Sequence, residues 1–189
     1  GEAAKLALAD RLVFAKWREA LGGNIKAIIC GSAPLQPRLA TIFTNAGIPV
    51  LEGYGLTECS PVVSVVPYDK RHYRAGCVGK VLPNFEVKIA EDGEILIKGS
   101  SVMQGYYKDE EETKKACTAD GWLQSGDVGE FTADGFLKIT DRKKELFKTS
   151  GGKYVAPAPI ENKLKESFFV EQVALVGDEN SEAWGSLRD

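Results

Sequence analysis

The stretch VLEGYGLTECSPVV, from Val50 to Val63, joins an apolar run to an aromatic residue, two glycines, a threonine and a glutamate. Upstream, IKAIIC (25–30) is an apolar run suited to a buried strand. QPRLATIFTNAG (36–47) is typical of a helix that a proline opens and Gly47 closes. Strand, helix and strand within about 25 residues predict a βαβ unit with parallel strands. Because such sheets bind ligands at the carboxyl ends of their strands, the glycine-rich stretch is predicted to face a ligand.

The polar residues of this stretch suit a magnesium nucleotide. Gly55 would let the backbone approach a ligand closely, and the Tyr54 ring can lie flat against a base. Thr57 offers a hydroxyl, and Glu58 is the kind of oxygen ligand that Mg²⁺ takes together with substrate phosphates. A plain strand and turn with an incidental glutamate explains the composition equally well, so this pattern alone decides nothing.

Hydrophobic patterning divides the rest of the chain into further regions. KLALADRLVFAKWREALGG (5–23) is typical of an amphipathic helix. Alternating apolar and polar residues around Asp92-Gly93 and Asp134-Gly135 predict two hairpins. Between them, DEEETKKAC (109–117) predicts a short charged helix. The fold class is therefore α/β: the end of a parallel sheet domain, then a β-rich barrel-like part, then the start of a small α+β domain.

Three regions follow as domain predictions. Residues 1–68 are assigned to the carboxyl-terminal part of a large α/β domain that binds nucleotide and acyl group, and residues 69–140 to a β-rich subdomain. Residues 141–189 are assigned to the start of a mobile C-terminal domain, with the charge run from Asp141 to Glu145 as the linker.

Composition narrows the function classes. The 189 residues are 43% hydrophobic and 27% charged, and the formal charge is −3. Nucleic acid is excluded as a partner because phosphate binding needs a concentrated basic face. The four cysteines contain no CxxC pair, and the sequence has no apolar run of the roughly 20 residues that span a bilayer. We therefore expect a cytoplasmic protein with free thiols, and we interpret the lone His72 as a solvated loop residue.

Two further polar positions carry a weaker signal. Asp127, in GWLQSGDVGEF, has the carboxylate that could accept hydrogen bonds from two ribose hydroxyls. Arg142, in DRKKE, could bind ribose or phosphate oxygens with its guanidinium. Taken singly, an ordinary turn and a charged linker are the simpler interpretations. The sequence lacks a Walker A motif, which disfavours a P-loop nucleotidase.

Taken together, these motifs resemble a known family. YGLTE, GWLQSGD and DRKKELFKTSGGKYVAPAPIE occur in the order of the adenylate-forming superfamily, with GSAPL and VMQGYYKDEEET as further matches. The similarity covers roughly residues 4 to 178 and is greatest to long-chain fatty-acid–CoA ligases. It implies that ATP and Mg²⁺ activate a long-chain fatty acid as acyl-adenylate, with release of pyrophosphate. The acyl group then passes to the thiol of coenzyme A, and AMP is released.

The resemblance also implies roles for individual residues. Adenine would lie on Tyr54, the α-phosphate on Thr57, Mg²⁺ on Glu58, and the ribose on Asp127 with help from Arg142. The implied nucleotide-binding set is Gly31, Ser32, Ala33, Tyr54, Gly55, Thr57, Asp127 and Arg142. The implied catalytic set is Thr57, Glu58 and Lys144. Asp141 would be the hinge of the mobile domain, and Ser150, Gly151 and Gly152 would lie near coenzyme A.

Departures from the family pattern limit what this chain does alone. A Ser/Thr/Gly-rich phosphate loop before GSAPL and a lysine late in the C-terminal domain are absent from these 189 residues. Ser125 replaces a common threonine, and Ala158 replaces a longer polar residue. We therefore expect a middle section of a ligase, inactive by itself, whose full-length form is compatible with peripheral membrane contact. The alternatives are an acyl–carrier-protein ligase, another adenylation domain, or a non-catalytic module that retains the fold.

Overall fold

The computed structural model describes most of the chain. The described residues are 1–32, 35–69, 74, 76–148, 154–176 and 187–188. Among the nucleotide and coenzyme A residues predicted above, Ala33, Ser150, Gly151 and Gly152 lie outside the described residues. His72 lies outside them as well.

The chain opens with a long helix in three segments. α1 spans Glu2–Ala9, a π-helical segment spans Asp10–Phe14, and α2 spans Ala15–Ala20. Gly22 and Gly23, both with positive φ, follow the helix and end it. None of the described helices is long and apolar enough to cross a membrane.

The first sheet contains the predicted βαβ unit. β1 (Ile28–Cys30) pairs in parallel with β2 (Val50–Tyr54), and α3 (Pro37–Asn45) connects them. β3 (Ser64–Val65) and β4 (Lys80–Val81) then add antiparallel strands, giving the order β1-β2-β3-β4. The sheet therefore continues past residue 68, where the sequence predicted a domain boundary.

The prediction that IKAIIC forms a buried strand is wrong in part. Only Ile28–Cys30 is a strand, and the Ile29 side chain is 78% exposed. The reason is its place in the sheet. β1 pairs only with β2, so it is an edge strand of the part of the chain that the structure describes.

The second sheet is an antiparallel meander, in the order β5-β6-β7-β8. Both predicted hairpins are present, because β5 pairs with β6 around Asp92-Gly93 and β7 pairs with β8 around Asp134-Gly135. The register shifts at two bulges, between Glu94 and Leu96 in β6 and between Val128 and Gly129 in β7. The strands are Phe85–Ile89, Glu94–Gly99, Leu123–Phe131 and Leu137–Arg142.

Short elements complete the structure. α4 (Glu110–Ala116) is the predicted charged helix, and the Asp109 carboxylate caps it by accepting the N–H of Glu112 at 3.0 Å. β8 extends through Asp141 to Arg142, so the predicted boundary at residue 141 falls inside a strand. The remaining elements are β9 (Phe147–Lys148), β10 (Tyr154–Val155), α5 (Pro157–Leu164), β11 (Ala174–Leu175) and β12 (Leu187–Arg188).

One hydrophobic core joins the two four-stranded sheets. Residues that end or follow β2 pack with residues of the meander, so the two sheets share this core. The buried members are Tyr54, Cys59, Val63, Phe85, Ile95, Ile97, Leu123 and Leu137. The described architecture matches the predicted fold class.

We expect two glycine substitutions to separate conformational strain from steric overlap. Gly79 and Gly135 both have positive φ, 94° and 80°. A Cβ at Gly79 would overlap the Val65 carbonyl and the Val66 nitrogen, whereas a Cβ at Gly135 meets nothing within 4 Å. Gly135→Ala should therefore cost about 1 kcal/mol of unfolding free energy, and Gly79→Ala about 2 kcal/mol more. Urea denaturation of both variants measures this, and equal losses would contradict the overlap at Gly79.

Candidate functional site

The glycine-rich stretch lies where β2 ends against the meander. β2 stops at Tyr54, and a short 3₁₀ turn over Thr57–Cys59 follows. Ser60 then takes a left-handed conformation, with φ of 58°. Thr57 is exposed and Glu58 is partly exposed, so both are presented beyond the carboxyl end of the strand.

Gly55 is required by the fold itself, and the predicted approach of a ligand to it stays a prediction. A Cβ at this position would overlap the carbonyl group of Pro61 and approach the Cα of Val62 to 2.9 Å. The close approach is therefore between two parts of the chain's own backbone, where the loop after Tyr54 folds back on itself. This contact explains the glycine without a ligand.

A buried hydrogen bond connects the two motifs that the sequence analysis singled out. The Tyr54 hydroxyl donates to Oδ2 of Asp127 at 2.8 Å, across 73 residues of sequence. Both residues are buried, with 8% and 6% exposure. Burial raises the pKa of Tyr54, and the neighbouring Asp127 adds to the shift, so the phenol stays protonated and acts as a donor.

Arg142 completes the cluster from the next strand. Asp127 of β7 lies opposite Arg142 of β8, and the Arg142 Nε is 3.2 Å from Oδ1 of Asp127. Asp127 is therefore held by a phenol on one oxygen and a guanidinium on the other. Each carboxylate oxygen has a second lone pair, so ligand hydroxyls could still donate to it.

The buried position of Tyr54 bears on its predicted stacking role. The ring belongs to the hydrophobic core, and stacking on a base needs one ring face to be accessible. At 8% exposure that face is almost wholly covered. The phenol's contact with Asp127 is the role that the geometry supports, and adenine stacking stays a prediction.

The end of β1 lies beside the same strand. Gly31 follows β1 directly, and a Cβ there would lie 3.5 Å from the Gly53 carbonyl oxygen of β2. Ser32 has a positive φ of 66°. Gly31 and Ser32, both in the predicted nucleotide-binding set, therefore lie at the carboxyl end of β1, next to the strand that carries Tyr54.

Glu58 is oriented by a residue that the sequence analysis did not single out. The Tyr106 hydroxyl donates to Oε1 of Glu58 at 2.9 Å, and the Met103 N–H donates to the Glu58 carbonyl at 2.7 Å. The hydrogen bond to Glu58 raises the pKa of Tyr106. Tyr106 lies in the family-like stretch VMQGYYKDEEET, but its pairing across 48 residues leaves no signal in the sequence.

The donor set at Glu58 fits a magnesium ion that a ligand also holds. Oε2 of Glu58 has no hydrogen-bond partner among the described residues, so it is the carboxylate oxygen open to a cation. Within those residues no group of three or more His, Cys, Asp or Glu could form a metal cage. Mg²⁺ commonly uses one or two carboxylates with phosphate oxygens, so a single glutamate is a suitable protein ligand.

The other predicted residues do not join this cluster. Lys144 is exposed in the turn that follows β8. Asp141 is buried within β8 and accepts the N–H of Arg142 at 2.7 Å through Oδ1, while its Oδ2 has no partner among the described residues. A hinge at Asp141 would have to act at a strand end.

Glu52, two residues before Tyr54 in β2, is a second buried carboxylate that the sequence analysis did not single out. It is 7% exposed, and its Oε1 has no hydrogen-bond partner in the described part of the chain. Burial raises the pKa of Glu52 to about 6. Ionisation of Glu52 is therefore less favourable in the folded chain than in the unfolded chain, and the carboxyl group titrates just below neutral pH.

Comparison with known proteins decides the family. The family model described as "AMP-binding enzyme" matches residues 4–107, more than half of the chain. This chain belongs to the AMP-binding enzyme family. It is 46% identical over 175 residues to the long-chain-fatty-acid–CoA ligase FadD15 of Mycobacterium bovis, covering 93% of this chain and 29% of that protein. The chain thus spans well under a third of this curated relative.

Solved structures of AMP-binding enzymes have the same fold over this region. O-succinylbenzoate coenzyme A synthetase of Bacillus subtilis, in complex with its acyl-adenylate intermediate, matches with a TM-score of 0.75 and 31% identity. That match covers 85% of this chain and 34% of the other. The same enzyme with ATP and a magnesium ion matches with a TM-score of 0.73 and 31% identity, covering 82% and 34%.

We expect the Tyr54 hydroxyl to stabilise this AMP-binding enzyme chain. Tyr54→Phe removes the donor from a buried carboxylate, which should cost about 2 kcal/mol of unfolding free energy. Tyr68→Phe is the matched control, because the Tyr68 hydroxyl donates to the Lys26 carbonyl at 3.1 Å from a 64% exposed side chain. The control should lose less than about 0.5 kcal/mol in urea denaturation. Equal losses of unfolding free energy in Tyr54→Phe and Tyr68→Phe would show that the buried hydrogen bond to Asp127 adds no stability.

The pKa of Glu52 predicts a pH-dependent stability. Its ordinary value is 4.5 and its folded value about 6, so unfolding releases a proton in this window. The free energy of unfolding should therefore fall as pH rises from about 4.5 to 6, by up to about 2 kcal/mol. Glu52→Gln should remove this fall. The unfolding free energy of the variant relative to wild type should therefore increase by that amount from pH 4 to pH 8, as measured by urea denaturation. Glu91→Gln, at an exposed turn, controls for the lost charge. Parallel profiles for wild type and Glu52→Gln would refute the assignment.

Proposed function

We propose that the full-length protein is an ATP-dependent long-chain fatty-acid–CoA ligase. The observation that carries this proposal is the meeting of Tyr54, Asp127 and Arg142 at the end of the YGLTE strand. In a chain of the AMP-binding family, this cluster is the place for a nucleotide. The 46% identity to the FadD15 ligase supports a fatty acid as the acyl donor and coenzyme A as the acceptor.

The proposed reaction has two steps. A carboxylate oxygen of the fatty acid attacks the α-phosphorus of ATP, the P–O bond to the β-phosphate breaks, and pyrophosphate leaves with the electron pair. The sulfur of coenzyme A then attacks the acyl carbon. The C–O bond to AMP breaks, the thiol proton is lost to solvent, and AMP leaves.

Residues of this chain have separate tasks in binding the nucleotide. Asp127 accepts the two vicinal ribose hydroxyls, and Arg142, whose side chain is 66% exposed, can reach ribose or phosphate oxygens while it neutralises Asp127. Gly31 and Ser32 face the adenine from the end of β1. Thr57, exposed at the start of the 3₁₀ turn, donates its hydroxyl to the α-phosphate.

Glu58 is the proposed magnesium ligand. A magnesium ion held there together with ATP would supply positive charge that neutralises the phosphates. Glu58 offers Oε2 to the ion, while the Tyr106 hydroxyl holds Oε1 and fixes the plane of the carboxylate. Lys144 in catalysis, Asp141 as a hinge, coenzyme A contact at Ser150, Gly151 and Gly152, a cytoplasmic location and peripheral membrane contact stay predictions.

Two assays on the full-length protein test the proposed activity. ATP–pyrophosphate exchange that depends on a long-chain fatty acid reports the first step, and thioester formation on coenzyme A reports the second. Asp127→Asn should reduce exchange strongly, while Asp120→Asn, at an exposed turn, should not.

Transfer to a phosphopantetheinyl carrier protein but not to coenzyme A would favour a carrier-protein ligase. Absence of exchange in the full-length protein would favour a non-catalytic module. The 189-residue chain alone should show no exchange, because it lacks the phosphate loop.

We expect Glu58→Gln to shift the magnesium requirement of the full-length protein. An amide oxygen is a weaker ligand than a carboxylate for a hard cation, so half-maximal exchange should need about tenfold more Mg²⁺. Unfolding free energy should change by less than about 0.5 kcal/mol, because the side chain is partly exposed. Direct Mn²⁺ binding in the presence of ATP, followed by electron paramagnetic resonance, gives a readout independent of turnover. An unchanged metal titration would make Glu58 structural only.

A further inference from the structure

A buried carboxylate with no part in the proposed reaction lies behind the Asp127 turn. Glu94 begins β6, and its side chain is 6% exposed. Its Oε1 accepts the N–H of Gly126 at 2.9 Å, and its Oε2 accepts the Nζ of Lys143 at 2.8 Å. One carboxylate therefore contacts both the residue before Asp127 and the residue after Arg142.

Lys143 holds the same glycine from the other side. The Lys143 N–H donates to the Gly126 carbonyl at 2.8 Å, and its Nζ also pairs with Oδ2 of Asp92 at 2.6 Å. These contacts raise the pKa of Lys143, with the hydrogen bond to Asp92 as the largest cause. Both polar groups of Gly126 are thus bound, one by Glu94 and one by Lys143.

Gly126 has no side chain that could fix it, and the neighbouring Asp127 N–H donates to the Ser125 Oγ at 3.1 Å. The φ of Gly126 is +73°, and a Cβ there would meet nothing within 4 Å, so packing does not define the turn. The register between β7 and β8 also shifts immediately after Val128, where Thr140 of β8 is the extra residue, so regular pairing is interrupted close to Asp127. The Glu94 carboxylate and the Lys143 backbone N–H therefore supply the contacts that set the direction of the Gly126 peptide groups, and the Lys143 side chain ties the two together through Glu94.

The turn decides where the nucleotide-binding carboxylate points. Asp127 follows Gly126 directly, and its oxygens must meet the Tyr54 hydroxyl and the Arg142 Nε at once. A rotation of the Gly126 peptide would carry the Asp127 Cα with it and break this geometry. We propose that Glu94 and Lys143 are positioning residues that hold the Gly126–Asp127 turn for the ribose of the bound nucleotide, an inference that rests on the proposed function.

Three variants of the full-length protein separate the contacts. Glu94→Ala removes both the acceptor of Gly126 and the partner of Lys143. Glu94→Gln keeps an amide oxygen of the same reach for the Gly126 N–H, so it should rescue most of the effect. Asp92→Asn is the matched control, because Asp92 binds Lys143 at 2.6 Å from a 52% exposed side chain and makes no described contact with Gly126.

Two readouts distinguish this inference from the proposed function. Amide-resolved hydrogen exchange at Gly126 reports the contact itself and needs no nucleotide. Calorimetric titration with AMP reports its consequence, and the KM for the fatty acid reports general damage. Glu94→Ala should lose protection at Gly126 and weaken AMP binding about tenfold, with the fatty-acid KM changed less than about twofold. Glu94→Gln and Asp92→Asn should stay within about threefold of wild type for AMP.

Each other outcome has a definite meaning. Unchanged protection at Gly126 in Glu94→Ala would overturn the contact, whatever the affinity. Lost protection with unchanged AMP affinity would overturn the positioning role and leave the proposed function standing. If Glu94→Ala raises the fatty-acid KM as much as the AMP dissociation constant, the residue is structural only. Absence of AMP binding by the wild type would overturn the proposed function and the positioning role with it, while the exchange data would still decide the contact.

Discussion

The hydrogen bond between the Tyr54 hydroxyl and the Asp127 carboxylate is the contact on which the site depends. It spans 73 residues and joins the last residue of β2, in the mixed first sheet, to the middle of β7 in the antiparallel meander. Both residues are buried, so the carboxylate has lost most of its water and needs donors from the protein. Tyr54 and Arg142 supply them. Removing either donor leaves a buried charge with one partner fewer, which ties the stability of this region to the geometry of the site.

The hydrogen bond between Tyr54 and Asp127 also fixes how the two sheets pack against each other. The Tyr54 ring lies in the core with Cys59 and Val63 on its own side and with Ile95, Leu123 and Leu137 of the meander. The hydroxyl can reach Asp127 only if the two sheets meet at this core. The sheets therefore cannot shift against each other without breaking a buried polar contact, and the apolar core by itself would set no such register.

Sequence patterns predicted the elements that depend on local signals. The hairpins at Asp92-Gly93 and Asp134-Gly135 follow from turn chemistry and alternation, and the βαβ unit follows from the spacing of apolar runs. The exposure of Ile29 could not be predicted, because an apolar run does not reveal whether its strand lies at an edge of the sheet. The reason for Gly55 was likewise hidden, since it is a contact with Pro61 across a folded loop.

In the candidate site, too, residues with a local sequence signal could be predicted and long-range contacts could not. Four of the candidate site residues belong to motifs that can be recognised in the sequence, so roles could be predicted for them. They are Asp127, Arg142, Thr57 and Glu58. The groups that orient them could not be predicted, because Tyr106 reaches Glu58 from 48 residues away and Lys143 reaches Glu94 from 49. Such pairings depend on strand register, and a one-residue slip of β6 would point Glu94 to the opposite face.

Buried carboxylates are concentrated around this site, and their partners differ in a way that bears on function. Among the described residues they are Glu52, Glu94, Asp127 and Asp141. Glu94 and Asp127 each have a cationic partner and a further hydrogen-bond donor, so both side chains are fixed in direction. Glu52 has an oxygen with no partner, and burial raises its pKa to about 6. A paired carboxylate can present its charge to a ligand without moving, whereas an unpaired one destabilises the fold whenever it ionises. The paired carboxylates are therefore the ones that the fold holds in a fixed direction, and Asp127, which lies beside the end of β2, is the one to which the proposed function assigns the nucleotide.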